Sequence, residues 1–166
     1  MRHRVPVILG VTAALACQPQ SEEVTEGQRT AIASAVNQRV AELFEAMNSH
    51  DVERVMSFYL KRVDFAYVGV SDVRVGWEPF SRVAALWYRT HPEVPFEHEV
   101  VHTQVLSPTV AVAVVRGSST ETELLVWTQV FVKDEGGEWV IAHEHEAWHE
   151  TSEPPRPHPM AVSQAR

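Results

Sequence analysis

The hydrophobic period of this chain changes once, and that change limits the folds open to it. Before His91-Pro92, apolar side chains mostly recur three and four residues apart. After it they fall in long runs of Val, Thr, Trp and Phe, divided by turn residues. The first helical stripe is Ile32, Val36, Val40, Leu43, Phe44 and Met47, opened by Thr25 and Gln28 in capping-box spacing. Asn48-Ser49-His50-Asp51 breaks it and caps a second helix carrying Val52, Val55, Met56 and Tyr59. A short β-rich interval, residues 63–75, predicts a small hairpin. Glu78-Pro79 then starts a third helix with Phe80, Val83, Ala84 and Trp87 on one side. Segments 94–106, 109–117, 121–133 and 138–149 predict four long strands joined by short turns, an antiparallel meander. Three helices followed by such a meander predict an α+β domain with its helices on one face of a curved sheet.

Composition narrows the function classes. The chain has 166 residues, 45% apolar, with 14 Lys+Arg against 22 Asp+Glu. An acidic chain without basic clusters excludes nucleic acid as a partner, since that binding rests on neutralising phosphates. One cysteine, Cys17, excludes an internal disulfide and any multi-cysteine metal site.

That cysteine closes a recognisable leader. Met1–Arg4 is basic, Val5–Ala16 is apolar apart from Thr12, and Ala14-Leu15-Ala16 is a small-residue exit. The apolar run is 12 residues, shorter than the roughly 20 that span a bilayer. The segment resembles a bacterial lipoprotein signal, with Ala14 where that pattern usually carries Leu. The resemblance implies a signal peptide over residues 1–16, lipidation of Cys17 and a tether over 17–25. Gln18 after the cysteine resembles the pattern sorted to an outer membrane, facing the periplasm. Plain secretion into the periplasm or medium is the alternative. Residues 26–150 form the expected domain. Residues 151–166, with Pro154, Pro155, Pro157 and Pro159, read as a Pro-rich disordered tail.

Two stretches resemble parts of a known family. The order Asn48-Ser49-His50-Asp51 into Val55, Phe58 and Tyr59 is the first. The closing run Glu135-Gly136-Gly137-Glu138-Trp139-Val140-Ile141-Ala142-His143-Glu144-His145 is the second. Together they resemble the nuclear transport factor 2-like superfamily, in particular its SnoaL-like members. The resemblance implies a cone-shaped α+β barrel: three N-terminal helices on a strongly curved, mostly antiparallel sheet with an internal pocket. It also implies a homodimer formed through the sheet. The superfamily includes isomerases, dehydratases, hydrolases and cyclases as well as members that only bind, so the fold leaves the chemistry open.

The candidate residues follow from that frame. In ketosteroid isomerases of this fold, the positions of the base and its two donors correspond here to Tyr67, Leu43 and Gln129, none a carboxylate. The expected catalytic set is instead His143 and His145, with Tyr67 and Asp64. Two imidazoles at strand positions i and i+2 share a face about 7 Å apart and can act as general acid or base. Phe44, Tyr59, Trp87, Trp127 and Gln129 are the expected ligand-binding residues. His145-Glu146-Ala147-Trp148-His149 spells H-E-x-x-H, which binds zinc only on a helix; on a strand its histidines stand about 13 Å apart. A three-imidazole set of His143 and His145 with His98 or His102 is the lesser, metal-binding alternative. No metal or cofactor is implied by the leading expectation. That expectation is an exported, membrane-anchored domain binding a small apolar molecule or a protein partner. The alternative is a lyase, isomerase or hydrolase using a pocket histidine.

Overall fold

Thr25 caps the first helix in both directions. Its hydroxyl accepts from the Gln28 N–H at 3.3 Å, and its own N–H donates to Gln28 Oε1 at 2.9 Å. The computed structural model describes residues 23–149 except 71, 92, 93, 121 and 123. The expected signal peptide, Cys17, most of the tether and the Pro-rich tail lie outside the described residues. Helix α1 (Glu26–Asn48) buries Val36, Val40, Leu43 and Phe44, the predicted stripe. Asp51 caps α2 (Val52–Ser57) by accepting from the Arg54 N–H at 3.0 Å. Strands β1 (Ala66–Val68) and β2 (Val73–Val75) form the small antiparallel hairpin. Pro79 lies in the first turn of α3 (Trp77–Thr90), where its missing N–H costs nothing.

The meander follows as β3 (Phe96–Ser107), β4 (Val110–Ser119), β5 (Leu124–Lys133) and β6 (Trp139–His149). The sheet order is β2-β1-β6-β5-β4-β3. Neighbours pair antiparallel except β1 and β6, which run parallel, so the last long strand lies inside the sheet. This is the expected α+β arrangement of helices on a mostly antiparallel sheet.

Helix α1 lies across β3, β4 and β6. On β4 it meets Ala111 and Ala113, both fully buried; small side chains there let the helix approach the sheet. At its C-terminal end Asn48 acts as a substitute strand residue. Its Nδ2 donates to the Phe96 carbonyl at 2.9 Å, and its Oδ1 accepts from the Phe96 N–H at 2.7 Å. That pair fixes where β3 begins and sets Phe96 against the core. The core runs from this helix through Phe65, Phe80 and Tyr88 to Trp127, Phe131 and Ile141.

Candidate functional site

Opposed residues of paired strands share a face, so the β5–β6 register decides what points inward. Gln129 stands opposite Glu144, Trp127 opposite Glu146 and Leu125 opposite Trp148. Further along, Val130 pairs with His143 but Phe131 pairs with Ile141. Ala142 is the extra residue of a β-bulge. One inserted residue reverses the alternation. Ile141 faces inward, as Phe131 does, and after the bulge the inward positions are 144, 146 and 148 rather than 143 and 145.

The inward side chains close a cavity of about 500 Å³ between the helices and the sheet. Its wall is mostly aromatic and aliphatic, with Phe44, Met56, Phe80, Trp87, Tyr88 and Phe96 among the lining side chains. A polar cluster stands at one side. Glu144, 3% exposed, accepts from Gln129 Nε2 at 2.8 Å and from the Tyr59 hydroxyl at 3.3 Å. Glu146 accepts from Trp127 Nε1 at 3.0 Å and from the Tyr67 hydroxyl at 3.3 Å. Tyr59 comes from the segment after α2, Tyr67 from β1, Trp127 and Gln129 from β5. The parallel β1–β6 pairing sets Tyr67 beside Glu144, bringing the hairpin to the cluster.

Burial dominates the electrostatics. It pushes the Glu144 carboxyl up to about 7, against the stabilising bonds from Gln129 and Tyr59, and the neighbouring Glu146 raises it further. Burial also raises Glu146, opposed by its bonds from Trp127 and Tyr67. Burial and the two carboxylates hold the hydroxyls of Tyr59, Tyr67 and Tyr88 above the ordinary phenol range, so all three remain protonated at physiological pH. Arg74 is the cationic side chain among the described lining residues, and it is engaged in an ion pair with Asp72. The cluster therefore holds two acidic groups stabilised by neutral donors. One atom has no partner: Gln129 Oε1, on a side chain 1% exposed.

The expected residues divide by strand face. Tyr67, Phe44, Tyr59, Trp87, Trp127 and Gln129 lie on the cavity wall. His143 and His145 do not. The Ala142 bulge turns them to the outer face of the sheet, opposite Val130 and Thr128, and His145 is exposed. Asp64 is also outside: it lies exposed before β1 and holds Arg62 through two bonds of 2.8 and 2.7 Å. The expected pocket histidines are thus corrected: the titratable side chains that β6 turns into the cavity are Glu144 and Glu146. The three-imidazole alternative is not assembled either. His98 and His102 sit on β3, separated from β6 by β4 and β5, about 14 Å at ordinary strand spacing. His98 stacks on Phe44 with ring centroids 4.3 Å apart. Among the described residues no group of three or more His, Cys, Asp or Glu is placed to hold a metal ion. The H-E-x-x-H run lies on a strand.

A family model described as a SnoaL-like domain matches residues 36–148. The chain belongs to the SnoaL-like family. Solved structures agree on the fold. A nuclear transport factor 2-like protein of unknown function from Shewanella oneidensis is 20% identical, with 68% of this chain and 96% of that one covered and a TM-score of 0.57. A ketosteroid isomerase-like protein from Erwinia carotovora atroseptica is 15% identical, with 71% and 96% covered and a TM-score of 0.57. A protein of the same fold family from Streptomyces avermitilis is 20% identical, with 73% and 98% covered and a TM-score of 0.64. No curated protein matches the sequence. At such identities the likeness establishes the SnoaL-like fold and leaves this member's chemistry to its own residues.

Proposed function

We propose that this SnoaL-like protein is exported, held at a membrane by lipid on Cys17, and binds a small, largely apolar molecule inside its cone. The observation that carries the binding reading is the cavity of about 500 Å³, apolar over most of its wall with a compact polar cluster. That volume and that division of surface suit a small-molecule site. The leader residues Met1–Cys17 support export and anchoring. No helix among the described residues is long and apolar enough to cross a membrane, so attachment in this reading rests on the lipid. A second copy of the chain across the outer face of the sheet is the expected partner, supported by Val101 and Leu106, which β3 leaves 55% and 54% exposed.

Native mass spectrometry of the full chain, extracted from its host membrane, tests the binding reading. The expected result is an organic adduct of low mass. Replacing the cavity-wall residue Ala84 by Trp fills part of the space and removes the adduct. A protein that is bare under every extraction condition overturns the reading.

A second reading, acid–base catalysis on the bound molecule, is favoured by one feature. Glu144 holds its carboxyl at about 7 inside an apolar cavity, the range in which a carboxyl both gives and takes a proton at neutral pH. In that reading Tyr59 and Gln129 orient the group.

A further inference from the structure

We infer that the cavity selects an organic amine, a cationic nitrogen carried on an apolar body, which sets its charge against Glu144 and Glu146. The inference rests on the cavity being a ligand site and adds the chemical class of the ligand.

Hydrogen-bond accounting leads to it. The protein's donors at the cluster are the Tyr59 and Tyr67 hydroxyls, Gln129 Nε2 and Trp127 Nε1, and each already donates to a carboxylate. What these four leave toward the cavity is the acceptor capacity of the two carboxylates. Each carboxylate oxygen has lone pairs beyond the bonds it receives. An occupant that only accepts hydrogen bonds leaves both carboxylates unmet and has Tyr88 and Arg74 on the wall to meet it. An ammonium brings two or three N–H groups and can donate to both carboxylates.

Charge gives the same answer by a separate route. Two acidic side chains stand on one face of β6 and line one cavity, and Arg74, the nearby cation, is spent on Asp72. Buried carboxylates without a counter-ion are unfavourable, and a cationic ligand supplies the missing partner. An anionic ligand faces like charge in a low-dielectric cavity. The aromatic wall suits the proposed occupant as well. Tyr59, Tyr67 and Trp127 surround the cluster, and ring faces attract a desolvated cation. Trp87, Phe80 and Phe96 then receive the apolar body.

The test uses three matched probes on the full-length protein in detergent: phenylpropylamine, phenylpropanol and phenylpropanoate. Calorimetric titrations at a pH of about 8 keep the amine charged. The amine is expected to bind at least about tenfold more tightly than the alcohol, and the carboxylate not measurably, as charge-assisted bonding requires. E146Q should weaken the amine by about tenfold and leave the alcohol within about twofold. E144Q serves as the second variant where E146Q does not fold. Alcohol binding as strong as amine binding, or amine binding unchanged in both variants, overturns the amine inference while the cavity reading stands. Failure of all three probes to bind overturns both.

Discussion

Glu144 shows what one residue's surroundings do. Its carboxyl sits at about 7 in the fold, above its ordinary value, because burial disfavours the charge. Between roughly pH 4.5 and 7 the folded chain therefore holds a proton that the unfolded chain has released. Stability falls as pH rises through that window, and the loss is complete above it. The acidic group facing Glu144 is Glu146 on the same strand, itself raised by burial; Tyr59, Tyr67 and Tyr88 on the other elements stay protonated. Glu144→Gln keeps the shape and removes the charge. Urea denaturation should find the variant more stable than the parent by on the order of 3 kcal/mol near pH 8, with the two converging near pH 5. A gap that does not change with pH would contradict this. Tyr67 and Gln129 were legible through their correspondence to the ketosteroid isomerase positions, and Trp127 through its aromatic character on a predicted strand. The sequence hid the two glutamates. In Ile141-Ala142-His143-Glu144-His145-Glu146 imidazoles and carboxylates alternate, so one face receives all of one kind. Which face is inner depends on a bulge that no turn residue announces. The signal that remained was the alternation itself, which offered two carboxylates as readily as two histidines.

At the scale of elements the pattern was plainer. The helices and the four long strands stand close to where periodicity and turn residues put them, since each boundary has a local cause in Thr25, Asp51, Pro79 or a Gly turn. The parallel seam between β1 and β6 had no such cause. It joins segments far apart in sequence and depends on packing, including the parallel bridge from Tyr59 to Ile141. The β3–β4 pair carries a second constraint. A Cβ on Gly117 would collide with the Glu97 carbonyl and stand 2.8 Å from the Trp127 ring. Glycine there lets two backbones approach and leaves Trp127 its place on the cavity wall. Gly117→Ala should cost about 2 kcal/mol in denaturant unfolding. Gly27→Ala, in the first turn of α1 with nothing within 4 Å of the new atom, should gain about 0.5 kcal/mol in the same assay. Equal effects at the two sites would refute the close-approach account.

On the proposed reading the whole molecule joins an address to a cone. If Cys17 carries lipid, labelled palmitate should mark the protein in a bacterial host and the chain should sediment with membranes. Cys17→Ser should abolish both, and a label that survives the substitution would rule out acylation at Cys17. The cone should be indifferent to that change, since its cavity is lined by residues between 43 and 148. A consequence for timing lies in the sheet order. Strand β6 supplies both glutamates and sits between β1 and β5, although it comes after every other element in the chain. A polypeptide delivered N-terminus first therefore shows its surroundings two unpaired strand edges flanking an empty slot until β6 arrives. Such a gap invites mispairing and is a natural docking point for a holding chaperone. The step that ends this exposure is the same step that delivers Glu144 and Glu146 to the cavity wall.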